Sequence, residues 1–315
     1  MFAICLESSH RRGMGHLFRM LNLARHMRAQ QAPFVILVND HPPALSILRA
    51  AQLPFEVVDL EKTAIWAADA IQRHGVKVWI NDRLDTAEAE AAAVKRSGIA
   101  LATFDDRGAG ARLSDLHVAA LAFNPAEALD GRRVLRGLDY LILNPEIALW
   151  RRQRTGASSL IVTLGGSDTY GATVKVVRLL RQHGHAATVV IGPGFEHRDE
   201  LNAVLTPDFH LRIGVPSLIE EFSRHNLAVT GGGITAFEAA ASGLAVIALA
   251  NEGFEVPVAH HLESLGAARY AGHHAALDPN AFGDLPDVAR LSAAGLAHVP
   301  LHGVERVYQA LRELQ

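Results

Sequence analysis

The stretch FAICLESSHRRGMGHLFRMLNLARHM, residues 2–27, joins a short apolar run to a helix-like pattern through a loop that contains two glycines. The run Phe2–Leu6 has the length and composition of a buried strand, and His16–Gln30 has the pattern of a helix. A strand, a glycine loop and a helix in this order predict one βα unit of a parallel sheet. In such folds, ligands bind in the loops that follow the strands.

The same alternation continues along the chain and predicts an α/β fold with parallel sheets. Further strands are predicted at Phe34–Val38, Phe55–Val58, Val76–Ile80, Ala100–Phe104, Val118–Ala122, Leu160–Leu164, Ala187–Ile191, Leu211–Ile213, Leu227–Thr230 and Ala245–Leu249. Further helices are predicted at Pro43–Ala51, Ala64–Arg73, Thr86–Ser97, Gly171–Gln182, His197–Val204, Ser217–Ser223, Ile234–Ser242, Val256–Leu265 and Val304–Leu314.

The segment Asn144–Ser159 interrupts this alternation with a proline, three arginines and a Thr-Gly-Ala-Ser-Ser stretch. Such a composition is typical of a linker and places a domain boundary near residue 150. The predicted domains are therefore residues 1–150 and 151–315, and the last helix is compatible with packing on either. Two such domains facing each other would enclose a cleft at the carboxyl ends of their strands.

Composition excludes several classes of protein. The 315 residues carry 30 Lys plus Arg against 33 Asp plus Glu, so the basic excess typical of a nucleic-acid binder is missing. The single cysteine, Cys5, excludes an internal disulfide and a cysteine-rich zinc module. No apolar run is long enough for a membrane helix, and the N-terminal residues lack the order of a signal peptide. We therefore expect a cytoplasmic protein with no integral membrane segment.

The first loop offers a candidate base. Gly13-Met14-Gly15 resembles the start of a dinucleotide fingerprint, but Phe18 stands at the third glycine position, which argues against an NAD site. His16 lies in the first turn of the following helix, where the positive end of the helix dipole favours a neutral imidazole. A neutral imidazole suits a general base, although a histidine that only caps the loop is the alternative. Arg12 and Arg19 could reach the same side of this loop.

Two glycine-rich turns follow strands of the second half. Gly165-Gly166-Ser167-Asp168 could bind a ligand, or Ser167 or Asp168 could simply cap the next helix. The turn Gly231–Thr235 is the stronger candidate, because three glycines before a helix expose N–H groups that could cradle a diphosphate. Glu238, one turn later, could accept ribose hydroxyls or merely stabilise the helix end.

Aspartates follow two strands of the first half, namely Asp82 with Asp85 and Asp105 with Asp106. Paired carboxylates could bind a metal or act as an acid–base pair, or one of Asp105 and Asp106 could have a structural role and orient a neighbour such as Arg107 or His16. The 17 histidines include no spacing that is typical of a metal site, so no metal and no other cofactor is expected.

Several ordered motifs resemble one known family. Gly13-Met14-Gly15-His16-Leu17-Phe18-Arg19 is similar to the N-terminal signature of the UDP-2,4-diacetamido-2,4,6-trideoxy-β-L-altropyranose hydrolases of pseudaminic-acid biosynthesis, which related spore-coat polysaccharide proteins share. Later motifs that match are Phe104-Asp105-Asp106, Asn124-Pro125, Tyr140-Leu141-Ile142-Leu143, Leu164–Asp168, Ile191–Gly194, Gly231–Glu238 and Asn251-Glu252. The chain departs from the family at Glu7, at Asn81–Asp85 and after Glu238.

The resemblance implies a glycosyltransferase-B-like (GT-B-like) fold of two Rossmann-like domains that bind a UDP-sugar. It implies that water attacks the anomeric carbon with inversion, that His16 is the general base, and that surface-glycan enzymes are the partners to expect. The substrate-binding residues are expected to be Arg12, Gly13, Gly15, Arg19, Asp82, Asp106 and Asn124. The nucleotide-binding residues are expected to be Gly165, Gly166, Ser167, Gly232, Gly233, Ile234, Thr235, Glu238, Asn251 and Glu252.

Three functions remain open at this point. The first is a nucleotide-sugar hydrolase that releases UDP and a free deoxy-amino sugar. The second is an inverting glycosyltransferase on the same scaffold, in which an acceptor hydroxyl replaces water. The third is a protein that binds sugar nucleotides without turnover.

Overall fold

The computed structural model describes residues 1–10, 13–124 and 126–315, and the chain divides into two compact units. Unit 1 comprises Met1–Arg12, His16–Ile142 and His302–Gln315, and unit 2 comprises Gly13–Gly15 and Leu143–Leu301. In the described part of the chain, no helix is long and apolar enough to cross a membrane.

Unit 1 contains a seven-stranded parallel sheet in the order β3-β2-β1-β4-β5-β6-β7. Its strands are β1 Phe2–Leu6, β2 Phe34–Val38, β3 Phe55–Val57, β4 Val78–Asp82, β5 Ala100–Phe104, β6 Leu116–Ala119 and β7 Val134–Arg136. Its helices before the second unit are α1 Gly15–Ala29, α2 Pro42–Ala50, α3 Thr63–His74 and α4 Glu88–Arg96, with short 3-10 turns at Leu60–Lys62, Ala109–Leu113 and Leu138–Tyr140.

The central strands of unit 1 bring two loops together. Every residue of β1, β2 and β4 is buried, as expected for strands with helices on both faces. The strand order reverses between β1 and β4, and Leu6 pairs in register with Asp82. The loop that leads into α1 therefore begins beside the end of β4, at the switch point where open α/β sheets bind ligands.

Unit 2 contains a second seven-stranded sheet in the order β10-β9-β8-β11-β12-β13-β14, parallel except for the final β13–β14 pair. Its strands are β8 Leu160–Thr163, β9 Ala187–Ile191, β10 Phe209–Ile213, β11 Leu227–Gly231, β12 Ala245–Ala250, β13 Ala268–His273 and β14 Ala276–Leu277. Its helices are α5 Ile147–Trp150, α6 Ala172–Gln182, α7 Arg198–Asn202, α8 Leu218–Phe222, α9 Ile234–Ala241, α10 Glu255–Ser264 and α11 Val288–His298, with a 3-10 turn at Pro279–Phe282.

The last helix, α12 Gly303–Arg312, belongs to unit 1, so the assignment of all residues after 150 to the second domain needs correction. The division between the units also falls at Ile142 and Leu143, a few residues before the predicted boundary. Tyr308 of α12 contacts the rings of Phe2 and His26 in unit 1, with ring centroids 6.4 and 5.0 Å apart. The apolar face of α12 therefore has its partner in the first sheet and its helices.

We expect Gly303→Ala to destabilise the attachment of α12. A Cβ at Gly303 would lie 2.0 Å from the carbonyl oxygen of Leu141, and backbone cannot give way as a flexible side chain can. Overpacking of this kind costs about 1–3 kcal/mol, measurable as a loss of unfolding free energy in urea. Gly253→Ala is the matched control, because a Cβ at Gly253 meets nothing within 4 Å. Equal stability of the two variants would contradict this packing.

Candidate active site

His16 and Asp82 form a hydrogen-bonded pair in unit 1. His16 is the second residue of α1, and its Nδ1 lies 2.7 Å from Oδ1 of Asp82, the last residue of β4. Asp82 is fully buried, while about a tenth of the His16 side chain is exposed. Because an ionised carboxylate can only accept, Nδ1 carries the hydrogen and Nε2 has a free lone pair. Among the described residues, Nε2 has no hydrogen-bond partner, so this imidazole is oriented to take a proton from a ligand.

Arg19 joins Asp82 to Asp105 beneath this pair. Its Nε and Nη2 donate to the two oxygens of Asp82 at 3.0 and 2.5 Å, and its Nη1 donates to Asp105. The guanidinium also lies over the ring of Phe104, 5.4 Å from the centroid. Arg19 is only 3% exposed and holds the carboxylate that orients His16, and its predicted substrate-binding role stays a prediction.

Asp105 is held in an unusual backbone conformation. Its φ of +46° lies in the left-handed region, and its Oδ1 accepts a hydrogen bond from the N–H of Leu121 at 2.9 Å. Strained backbone of this kind persists only where surrounding contacts fix it, and it is often found at functional sites. In this conformation, the other carboxylate oxygen, Oδ2, accepts the hydrogen bond from Nη1 of Arg19.

Opposite charges lie in direct contact within this cluster. Burial alone would raise the pKa of Asp82, but Arg19 and His16 outweigh it and hold the pKa at about 2. The two carboxylates also outweigh the effect of burial on Arg19 and raise its pKa. Asp82 is therefore placed to stabilise the imidazolium that a general base becomes.

Other residues expected at this site have different surroundings. Asp106 accepts hydrogen bonds from the N–H groups of Thr86 and Gly108, at 3.0 and 2.9 Å, and from the hydroxyl of Thr86. These contacts join the loops that follow β4 and β5, and the predicted substrate-binding role of Asp106 stays a prediction. Asn124 is exposed and caps a turn at Ala126, so its binding role stays a prediction.

The two glycines of the first loop leave room for a ligand. Gly13 has a φ of +76°, and a Cβ on either Gly13 or Gly15 would meet nothing within 4 Å. Their predicted part in substrate binding is compatible with this open space and stays a prediction. Arg12, the remaining residue predicted here, lies outside the described residues.

In unit 2, the glycine loop after β8 caps its own helix. Asp168 accepts the N–H groups of Ala172 and Thr173 at 2.8 Å each, so a carboxylate already occupies the amino end of α6. Gly166 accepts the N–H of Gly194 at 2.8 Å. Capping, one of the two interpretations of this loop, is therefore realised by Asp168. The nucleotide-binding role of Gly165, Gly166 and Ser167 stays a prediction.

The turn between β11 and α9 leads to backbone N–H groups that are not capped. Gly233 precedes the eight-residue helix α9 and provides no side-chain cap. Within the described residues, the N–H groups of Ile234 and Thr235 have no hydrogen-bond acceptor, and both residues are partly exposed. Uncapped N–H groups and the positive end of the helix dipole together favour an anion such as phosphate.

Glu238, one turn into α9, is tied to the start of unit 2. Its Oε1 accepts the N–H of Asn144 at 3.2 Å. Burial raises the pKa of Glu238 to about 7, with a further contribution from Glu146, against the lowering effect of the Asn144 N–H. Ribose binding by Glu238 stays a prediction, and it would use the carboxyl oxygen that Asn144 does not hold.

The loop between β12 and α10 carries a residue that the sequence analysis missed. Glu255 accepts the N–H groups of Asn251 and Glu252 through Oε2, at 2.7 and 3.4 Å. The expected nucleotide-binding residue Glu252 accepts a hydrogen bond from the Tyr170 hydroxyl at 2.6 Å, and Oδ1 of Asn251 is buried without a partner among the described residues. The only sequence signal for Glu255 was an acidic residue immediately before the predicted helix Val256–Leu265.

Comparison with known sequences gives a distant relative. No protein-family profile matches the chain. It is 25% identical over 270 residues to the uncharacterised protein MJ1062 of Methanocaldococcus jannaschii, and the match covers 78% of this chain and 55% of that protein. The chain thus spans about half the length of the curated relative it matches.

Comparison with solved structures is more extensive and shows the fold. Acinetobacter baumannii MurG has a TM-score of 0.69 at 13% identity, covering 99% of both chains. MnaA of S. aureus, solved with UDP, has a TM-score of 0.67 at 12% identity over 99% of this chain and 95% of that one. The spinosyn rhamnosyltransferase SpnG, solved with thymidine diphosphate, has a TM-score of 0.64 at 17% identity, and the match covers 98% of this chain and 100% of that one. Two α/β units with parallel sheets, the GT-B-like fold class expected from the sequence, are therefore confirmed.

Proposed function

We propose that this protein is a nucleotide-sugar hydrolase that converts a UDP-sugar to UDP and a free sugar, of the deoxy-amino class that the family resemblance implies. The observation that carries the proposal is the buried His16–Asp82 pair, in which Nδ1 lies 2.7 Å from Asp82 and Nε2 has no hydrogen-bond partner in the part of the chain that the structure describes. A protein that only bound a sugar nucleotide would have no need for a buried carboxylate that orients an imidazole. MnaA and SpnG, which share the fold, were solved with UDP and thymidine diphosphate.

The proposed reaction begins at Nε2 of His16. Nε2 takes a proton from water as the water oxygen attacks the anomeric carbon, and Asp82 stabilises the imidazolium that forms. The bond between that carbon and the diphosphate oxygen breaks, and UDP leaves with the electron pair. Attack opposite to the leaving group inverts the anomeric centre. The uncapped N–H groups of Ile234 and Thr235 are the donors proposed to hold the departing diphosphate.

A glycosyltransferase is the second candidate. In that case Nε2 would deprotonate an acceptor hydroxyl instead of water, with the other steps unchanged. The observation in its favour is the whole-chain likeness to the rhamnosyltransferase SpnG. Because a fold does not determine a reaction, only the nucleophile separates the two candidates.

The expected result for a hydrolase is release of UDP and free sugar without any acceptor. A panel of UDP- and TDP-sugars is incubated with the protein, and nucleotide and sugar are quantified by chromatography. Equal amounts of both products at many turnovers per protein molecule are expected for at least one UDP-sugar. Turnover only after an acceptor is added would establish the transferase instead, and binding without turnover of any compound would exclude both enzymes.

A further inference from the structure

A carboxyl group lies at the amino end of α9, where the diphosphate is proposed to bind. Oε1 of Glu255 is 3.3 Å from the position that a Cβ at Gly233 would occupy. Its other oxygen, Oε2, is the one that accepts the N–H groups of Asn251 and Glu252. Oε1 has no hydrogen-bond partner among the described residues and is directed to the start of the helix.

The glycines of this turn admit the β12–α10 loop that carries Glu255. A Cβ at Gly231 would lie 3.0 Å from Nδ2 of Asn251, and one at Gly232 would lie 3.2 Å from the carbonyl oxygen of Leu249. None of the three glycines, residues 231–233, has a positive φ, so a left-handed backbone is not what requires them. Close approach of the two loops explains the glycines and brings the Glu255 carboxyl to the uncapped helix end.

The surroundings of Glu255 favour its neutral form. Burial raises the pKa of Glu255 to about 7; the N–H groups of Asn251 and Glu252 lower it, and the charge of Glu252 raises it. The side chain of Glu252 is held by Tyr170, and no acidic residue lies in the first turn of α9. Both protonation states of Glu255 are therefore populated close to neutral pH.

We propose that Glu255 binds the diphosphate of the sugar nucleotide as a neutral carboxylic acid, donating a hydrogen bond from Oε1 to a phosphate oxygen. This inference rests on the proposed function. Oε2 already accepts two N–H groups, so the proton belongs on Oε1, which faces the helix end. An ionised Glu255 would instead place a negative charge against the diphosphate and repel it. Glu255 is thus a binding residue that makes affinity depend on pH.

The expected pH dependence follows from the fraction of protein with protonated Glu255. If only that form binds, the apparent dissociation constant rises by about 30-fold from pH 6 to pH 8.5, for a pKa of about 7. UDP-N-acetylglucosamine is a suitable probe for calorimetric titration, because its diphosphate diester has no second phosphate ionisation in this range. Free UDP has one, and its own titration would obscure the effect.

Glu255→Gln removes the titration but keeps a donor at the same position. We expect the affinity of E255Q to change less than 3-fold over this range, a small part of the wild-type change, and to exceed that of wild type at pH 8.5. Glu200→Gln is the matched control, because Glu200 is an exposed residue of α7 in the same unit. The affinity of this variant should change with pH as much as that of wild type. Thermal unfolding of each variant verifies that it is folded.

Each outcome decides one of the two proposals. Binding that is equally tight at pH 6 and pH 8.5 in wild type overturns the role of Glu255 and leaves the proposed function intact. The role of Glu255 is also overturned if folded E255Q shows the same change of affinity with pH as wild type. It is likewise overturned if E255Q binds UDP-N-acetylglucosamine at no pH while wild type binds it. Failure of wild type to bind any sugar nucleotide at pH 6 overturns the proposed function itself, and the inference with it.

Discussion

Replacing His16 by asparagine is expected to lower turnover of the sugar nucleotide by about 10²–10⁴-fold, the usual contribution of a general base. The Nδ2 group of asparagine can replace Nδ1 as the donor to Asp82, so the buried carboxylate keeps its partner. Nothing then replaces Nε2, which is the atom proposed to take the proton. The affinity for UDP should change little, because the proposed diphosphate donors lie in unit 2.

The measurement combines steady-state kinetics with UDP titration of the same preparations. A fall in kcat with unchanged UDP affinity is the pattern of an interaction made in the transition state. His10→Asn is the control, since His10 lies in the same loop but is not assigned to the reaction. Full activity of the His16 variant would show that the proton goes elsewhere.

The parallel architecture could be predicted from the sequence because buried strands leave a simple signal. The runs Phe2–Leu6, Phe34–Val38 and Ala100–Phe104 are strands with the predicted bounds. They could be predicted because parallel strands that are covered by helices on both faces consist almost entirely of apolar residues. The short edge strand Val134–Arg136 was missed because half-exposed residues at the edge lack that pattern. The half-buried strand Ala268–His273 was missed for the same reason.

The residues that act together could be predicted only in part. The loop position of His16 followed from local pattern, because a helix start is encoded within a few residues. Its partner Asp82 is 66 residues away, and their contact depends on β1 pairing with β4, which no local pattern specifies. Sequence reasoning considered an orienting aspartate at Asp105 or Asp106, whereas the structure assigns that contact to Asp82. Arg19 was expected to face substrate. Its burial against Asp82 and Asp105 could not be predicted, because it depends on the same strand order.

Asp82→Asn is expected to slow turnover by about 10²–10⁴-fold, because the base would lose its orientation. If the new amide donates to His16, Nδ1 must accept and Nε2 carries the hydrogen, which leaves no base. If the amide instead faces Arg19, two donors meet. We therefore treat Asp82 as a positioning residue that acts through His16. In the double variant with His16→Asn, the substitution of Asp82 should bring no further loss of rate. If the two residues acted independently, the factors by which each substitution lowers the rate would multiply.

Asp82→Asn also tests the charge balance of the buried cluster. Arg19 would keep Asp105 as a partner. We therefore expect Asp82→Asn to lower the unfolding free energy at pH 7 by about 1.5–3 kcal/mol, because its charge-assisted hydrogen bonds with Arg19 are weakened. Because the pKa of Asp82 is lowered from 3.8 to about 2, its carboxylate stabilises the fold fully above that ordinary value and loses this effect as the pH falls through about 2. The stability difference between wild type and variant should therefore persist at pH 5 and shrink towards pH 2.

The control for this measurement is Asp69→Asn, which removes an exposed ion pair with Arg73 on α3. Such surface pairs contribute about 0–1 kcal/mol, so the unfolding free energy of this variant should stay close to that of wild type at every pH. If Asp82→Asn behaved in the same way, the cluster would not hold the fold. If it lost stability but kept full turnover, Asp82 would be a structural residue, and the orientation of His16 would have to come from the backbone of α1 alone.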